Sequence, residues 1–209
     1  MKLNLPELIP IFPLGGVVYF PKTSLPLNIF EQRYLDLVND CMKNDKLMGM
    51  VQNKKNDEEL YDIGCLGKIT NFKKNNDGRI TISLSGLSRF KIISEVSNKK
   101  LYREANVEYS KFSDDLLQNQ ENINQTKINL LLEKVKIFFS KNNLLLNWHE
   151  LEKLKSVEQI NTLSMIAPIT NGEKQKLLET MTLTEKVNTL SDIIQFYLYE
   201  NNSSINRLQ

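Results

Sequence analysis

The sequence is short of the residues that carry most enzyme chemistry. Of its 209 residues one is histidine, His149, and two are cysteine, Cys41 and Cys65. A multi-histidine metal site is therefore excluded, and a Ser-His-Asp or Cys-His arrangement has only His149 to build on. Two thiols are too few for a thiolate zinc site or for the disulfide framework of a small secreted protein, which points to a reducing cytosol. Charge of one sign is lacking too: 27 Lys and Arg face 25 Asp and Glu, a net +2, so no general field draws the chain to nucleic acid or to an anionic membrane. No apolar run approaches the roughly 20 residues of a membrane-spanning helix. The N-terminus MKLNLPELIPIFPLGG puts Pro6, Glu7, Pro10 and Pro13 where a signal peptide needs an unbroken apolar stretch, so it reads as mature, cytoplasmic sequence.

What the sequence does have changes character near residue 112. Between Ile9 and Phe30 the apolar runs IPIF, VVYF and LPLNIF are split by Pro13, Gly15-Gly16 and Pro21, and read as short strands. Pro26 puts the third of them at an edge or a bulge. Phe30, Tyr34, Leu37, Val38, Cys41 and Met42 then recur at helical spacing, with Asn28 as the expected cap and Glu31 in the first turn. Strand signals return at LMGMVQ (47–52) and GCLGKITNF (64–72). Asp77-Gly78 marks a hairpin turn, after which Ile80, Ile82 and Leu84 alternate with Thr81, Ser83 and Ser85. A second strand, RFKIISEV, is expected beyond a bend or bulge at Gly86, and LYREANVEY supplies a third. Such a meander can form a small closed or nearly closed sheet.

From residue 113 the pattern is helical. Ile128, Leu131, Leu132, Val135, Phe138 and Phe139 form a wide apolar stripe, and Trp148 to Leu154 suggests a short helix. Ser156 with Gln159 and Thr182 with Glu185 have the spacing of capping boxes, and Asn171 suits a cap for EKQKLLETM. The stripes form no heptad run, so a compact bundle is expected. Charge divides at the same place: residues 1–112 carry 17 Lys/Arg and 13 Asp/Glu, a net +4, and residues 113–209 carry 10 and 12, a net −2.

Four ordered blocks resemble the N-terminal, substrate-binding domain of the Lon protease family. They are IPIFPLGGVVYFPKTSLPLNIFEQRYLDLVNDC (9–41), IGCLGKIT (63–70), DGRITISLSGLSRFKI (77–92) and LSMIAPITNGEKQKLLETMTLTEKVNTLSDII (163–194). Pro13, Pro21, Pro26, Glu31, Gly64, Gly67, Gly78, Gly86 and Phe90 are the positions that carry the likeness. It implies an α+β fold, a PUA-like β-barrel (a pseudobarrel) over residues 1–112 followed by a C-terminal helical bundle over 113–209, together one Lon N-terminal domain. No G-x-x-x-x-G-K-[ST] phosphate loop occurs in the 209 residues, so neither ATP hydrolysis nor proteolysis carries over, and the expectation is a stand-alone member without those modules. Asn28 stands where many relatives have histidine.

The residues with chemical potential each carry two readings. Phe30, Arg33 and Tyr34 suit a surface where an extended peptide docks, the aromatics as anchors and Arg33 reading a carboxylate or carbonyl. Aromatics at this spacing are more often core, which favours packing at a helix start, with Glu31 paired to Arg33 or Arg89. Arg89 is either a ligand-binding group or half of an ion pair with Glu31. The lysine pairs Lys54-Lys55, Lys73-Lys74 and Lys99-Lys100 lie in loops without interleaved aromatics, which argues against nucleic acid. His149 reads as capping or packing against Trp148, and Cys41 and Cys65 as buried and inert. No cofactor or metal is expected. The resulting expectation is a non-catalytic module that binds unfolded or hydrophobic polypeptide segments through apolar grooves and exposed strand edges. An adaptor role in protein quality control, with or without a separate Lon protease, extends it. The rivals are an RNA-binding PUA-like module and a hydrolase related to peptidases by descent.

Overall fold

The structure is a computed structural model that describes residues 5–54, 59–117 and 124–205, with side chains to residue 199. Two compact units are present, Met1–Gln118 and Asn119–Gln209. The first contains β1 (Leu8–Leu14), β2 (Ser24–Ile29), α1 (Gln32–Lys43), β3 (Leu47–Gln52), β4 (Ile63–Lys74), β5 (Ile80–Val96) and β6 (Arg103–Glu108), ending in a 3-10 segment, Ser110–Leu116. The second contains α2 (Gln125–Lys141), α3 (Trp148–Glu152), α4 (Ser156–Ile166), α5 (Asn171–Glu179) and α6 (Leu183–Ile205).

The six strands form one mixed sheet in the order β2-β5-β4-β3-β1-β6, in which β1 and β3 are parallel and the other pairs antiparallel. The 17-residue β5 organises it. Its first part, Ile80–Ser85, pairs with β2, and its last part, Lys91–Val96, pairs with β6. Hydrogen bonding therefore leaves β5 through β4, β3, β1 and β6 and returns to β5. Alternation does the rest: Ile80, Ile82 and Leu84 point inward and are buried, and Ile9, Ile11, Leu66, Phe90, Ala105 and Val107 pack into one core around the Phe90 ring. Gly64 and Gly67 leave room for that filling, since a Cβ at Gly64 would lie 2.7 Å from Phe90 and one at Gly67 2.5 Å from Leu84.

Several local expectations need correction. The VVYF run is not a strand. It passes over the sheet as irregular chain with Val18, Tyr19 and Phe20 buried, held by the Tyr19 hydroxyl donating to the Leu84 carbonyl at 2.7 Å. Gly15-Gly16 and Pro21 isolate it from any ladder, and Lys22 turns the chain with φ 58°. Gly86 lies inside one continuous strand and does not separate two. Its carbonyl accepts from Lys22 N–H and its own N–H donates to the Thr23 carbonyl, both at 2.9 Å, and an added Cβ would meet the Phe20 carbonyl oxygen at 2.3 Å. The ladder shifts register beside it, between Leu66 and Gly67. Asn28 is no cap, because β2 continues through it opposite Thr81. Helix α1 starts at Gln32, with Glu31 outside the first turn and its carbonyl accepting from Tyr34 and Leu35 N–H. Pro26 sits in β2, which pairs on one side only, and Gly78 turns the β4–β5 hairpin with φ 86°.

In the second unit the stripe Ile128, Leu131, Leu132, Val135, Phe138 and Phe139 is buried as its spacing requires. Two caps fall one residue early. Thr170, not Asn171, caps α5, its hydroxyl taking Glu173 N–H while the Glu173 carboxylate takes Thr170 N–H at 2.8 Å. At α4 the Glu158 carboxylate reaches back to Lys155 N–H, and Gln159 instead donates to the Glu152 and Leu154 carbonyls. Thr182 does accept Glu185 N–H, and Glu185 takes Met181 N–H.

Candidate functional site

The residues singled out around α1 converge on a cleft of about 390 Å³ in the first unit. Strand β1 contributes Phe12 and Pro13, β2 contributes Leu27 to Ile29, and the start of α1 contributes Phe30, Arg33 and Tyr34. Helical spacing explains the division of labour. Tyr34, in the first turn of α1, is buried, stacks on Phe12 with ring centroids 4.0 Å apart and donates its hydroxyl to the Pro13 carbonyl at 3.3 Å. Burial pushes its phenol above the ordinary tyrosine value, the Arg33 guanidinium opposing that rise. Phe30 precedes the helix and is 64% exposed, so the packing reading holds for Tyr34 and fails for Phe30.

Arg33 lies over the Tyr34 ring at 4.6 Å and donates through Nε to Glu31 Oε2 at 2.9 Å, both side chains being about half exposed. A pair so open to water contributes about 0–1 kcal/mol and does not lock the guanidinium. Arg103 and Asn53 complete the lining. The side-chain oxygen of Asn53 is buried with no hydrogen-bond donor among the described residues. Neither residue stands out in the sequence as a site. Arg103 did leave a signal: it shares the inward parity of Ala105 and Val107 on β6, an unusual place for a guanidinium unless it lines a cleft.

Arg89 is not brought to this cleft, and the Glu31–Arg89 pair does not form. Its guanidinium is buried against Asp115, Nε to Oδ2 at 2.9 Å and Nη2 to Oδ1 at 2.8 Å, and the same carboxylate accepts the Arg89 N–H at 2.8 Å. Phe112 lies 4.3 Å from the guanidinium carbon. The partner lies in the polar 113–117 stretch, 26 residues away in sequence, where no local spacing rule reaches.

The other reactive groups form no catalytic constellation among the described residues. His149 is exposed on α3, whose cap is Asn147. Cys41 is buried, its thiol donating to the Leu47 carbonyl and pushed up to about 12 by burial, with the Asp45 and Asp40 carboxylates adding to the shift. Cys65 is fully buried. Lys134 Nζ lies 3.0 Å from Ser191 Oγ, but it also donates to Gln195 Oε1, and Ser191 sits inside α6, where helix N–H groups are spent on carbonyls and cannot hold an oxyanion. Among the described residues no three His, Cys, Asp or Glu side chains cluster as a metal site, and no helix is long and apolar enough to cross a membrane. Lys54 and Lys100 pair with Glu59 and Glu104, and Lys55 lies outside the described residues.

A sequence profile of the ATP-dependent protease La (LON) substrate-binding domain matches residues 8–195. The chain belongs to this family. The Lon protease of Syntrophus aciditrophicus is 29% identical over 93% of this chain and 26% of its own length, and that of Buchnera aphidicola 28% identical over 90% and 25%. The chain thus spans about a quarter of the length of these relatives. Among solved structures, the Lon N-terminal domain protein from Xanthomonas campestris superposes with TM-score 0.64 at 21% identity, over 88% of this chain and 96% of its own. The N-terminal domain of Mycobacterium avium complex Lon protease gives 0.65 at 15% identity, over 90% and 98%. These two share the fold, an α+β arrangement of a mixed sheet with several helices.

Proposed function

We propose that this substrate-binding family member holds exposed apolar segments of unfolded polypeptides in the Phe30–Tyr34 cleft, without catalysing a reaction on them. The observation that carries the reading is Phe30: a large ring left 64% exposed beside an aromatic floor of stacked Tyr34 and Phe12. An exposed aromatic next to a buried one gives a bound side chain both a partner and a desolvated surface. The strand pairing that returns to β5 we read as the small barrel that frames this cleft. On this reading the chain works in the cytoplasm as a recognition module or adaptor in quality control, alongside a Lon protease where one is present.

The test is fluorescence anisotropy with a carboxymethylated, permanently unfolded model protein. Wild type should bind it and not its native counterpart. Phe30→Ser, a change at an exposed position, should weaken binding by about tenfold while leaving the melting temperature in place. Equal binding by wild type and variant would remove the cleft from the account.

A further inference from the structure

We infer that the cleft reads side chains, a large apolar group next to an aspartate or glutamate, and does not bind its segment by adding a strand to the sheet. The inference rests on the polypeptide-binding reading of the same cleft. Two open strand edges border it, which at first favours strand addition. Strand β1 pairs with β6 only through Leu8–Ile11, so beyond Ile11 it has β3 alone, and β2 has β5 alone. Both edges are blunted by proline, however. A strand presents alternate residues to each side. On the cleft side of β1 that residue is Pro13, as its carbonyl shows by accepting from Tyr34 of α1, and it has no N–H to offer. A proline in an edge strand turns its nitrogen away from the ladder, so the outward set on β2 is Ser24, Pro26 and Asn28, again missing its central donor. One edge therefore lacks its donor and has its acceptor taken, and the other is interrupted at its middle.

Side chains remain to make the contact, and their charge is lopsided. The lining holds two guanidinium groups, Arg33 and Arg103, against one carboxylate, Glu31. Arg103 is paired with Glu95, which lies outside the lining. Arg33 lies over the Tyr34 ring and places Nε and one Nη nitrogen on a single oxygen of Glu31. An incoming carboxylate can take over that exposed pair at little cost, and a planar guanidinium beside an aromatic face suits an acid adjacent to a ring or long aliphatic chain.

The experiment uses short fluorescent peptides blocked at both ends, so that a side chain supplies the only carboxylate, with Phe-Asp, Phe-Asn or Phe-Lys at the centre. The Asp peptide should bind about tenfold more tightly than the Asn peptide at low salt, the gap narrowing as salt rises. Arg33→Gln should close the gap by weakening the Asp peptide far more than the Asn peptide. N-methylation of alternate main-chain amides should change affinity less than about twofold, since those amides carry no ladder bonds. Equal binding of the Asp and Asn peptides overturns the carboxylate selection, and a large loss on N-methylation overturns side-chain readout in favour of strand addition. Either result leaves the cleft reading standing if Phe30→Ser weakens every peptide. If Phe30→Ser weakens none, or no peptide binds wild type, both fall.

Discussion

Replacing Asp115 by Asn puts the buried ion pair of the first unit to a quantitative test. The Asp115 carboxylate accepts three hydrogen bonds, from Arg89 N–H at 2.8 Å, Nε at 2.9 Å and Nη2 at 2.8 Å, with the two side chains 12% and 6% exposed. Asparagine keeps the shape but leaves a buried guanidinium without its counter-charge, and breaking such a pair from one side costs about 3–5 kcal/mol. At about 1.4 kcal/mol per tenfold, that raises the open population of β5 and the 110–116 segment by roughly two to three and a half orders of magnitude. Trp148, the only tryptophan, belongs to the second unit, so its fluorescence follows the wrong half of the molecule. Amide hydrogen exchange by mass spectrometry on fragments covering residues 84–96 and 108–117 reads the right one. Exchange there should accelerate by about 100-fold or more, with protection in α2 and α6 unchanged. A second variant, Arg89→Met with Asp115→Leu, removes both charges and should recover most of the protection. If Asp115→Asn alters exchange by less than about threefold, or the double variant is as unprotected as the single one, the pair does not hold this segment.

Two other predictions follow from local geometry. Gly86→Ala forces a Cβ to within 2.3 Å of the Phe20 carbonyl and strains two main-chain hydrogen bonds, so it should destabilise the first unit by about 3 kcal/mol, read as a shift in urea midpoint by strand circular dichroism; an unchanged midpoint would refute the close approach. Cys41 is raised from 9.0 to about 12 in the folded chain, so the stability it contributes is complete below pH about 9 and drains away between about 9 and about 12. Cys41→Ala should flatten the stability curve across that window, and iodoacetamide should leave the wild-type thiol unmodified at pH 8 unless urea is added.

What could be read from the sequence follows the range of the interactions. Period-two alternation along β5 and β6, the Asp77-Gly78 turn and the α2 stripe are local, and each gave the right element because a neighbour two to four residues away decides it. Gly86 is legible only in part, for the opposite reason: the ladder does shift register beside it, but its need for no side chain comes from Phe20, 66 positions earlier in the chain, and a glycine required by close approach looks the same in sequence as one required by a bend. Arg89 and Asp115 are separated by strand β6, so nothing in the composition around either one pointed to the other. At the cleft, Phe30, Arg33 and Tyr34 were visible because one helix start carries them. Arg103 and Asn53 arrive from β6 and from just past β3, through register that only the closed pairing of the sheet fixes.

The prolines connect stability with recognition. A cleft with an exposed aromatic beside two half-paired strands is the kind of surface that invites a second chain to add as a strand and propagate. Pro13 and Pro26 remove the donors such growth requires, and the Tyr34 hydroxyl occupies the Pro13 carbonyl. With the edges blunted, Phe30 stays exposed without making the sheet a template for aggregation, as the proposed binding role requires. Side-chain contacts alone are individually weak and exchange quickly, which is what transient capture of an unfolded segment requires, whereas a continuous ladder would hold the segment and extend it. On the proposed reading, the same two residues that look like interruptions in the strand pattern set the manner in which the cleft binds.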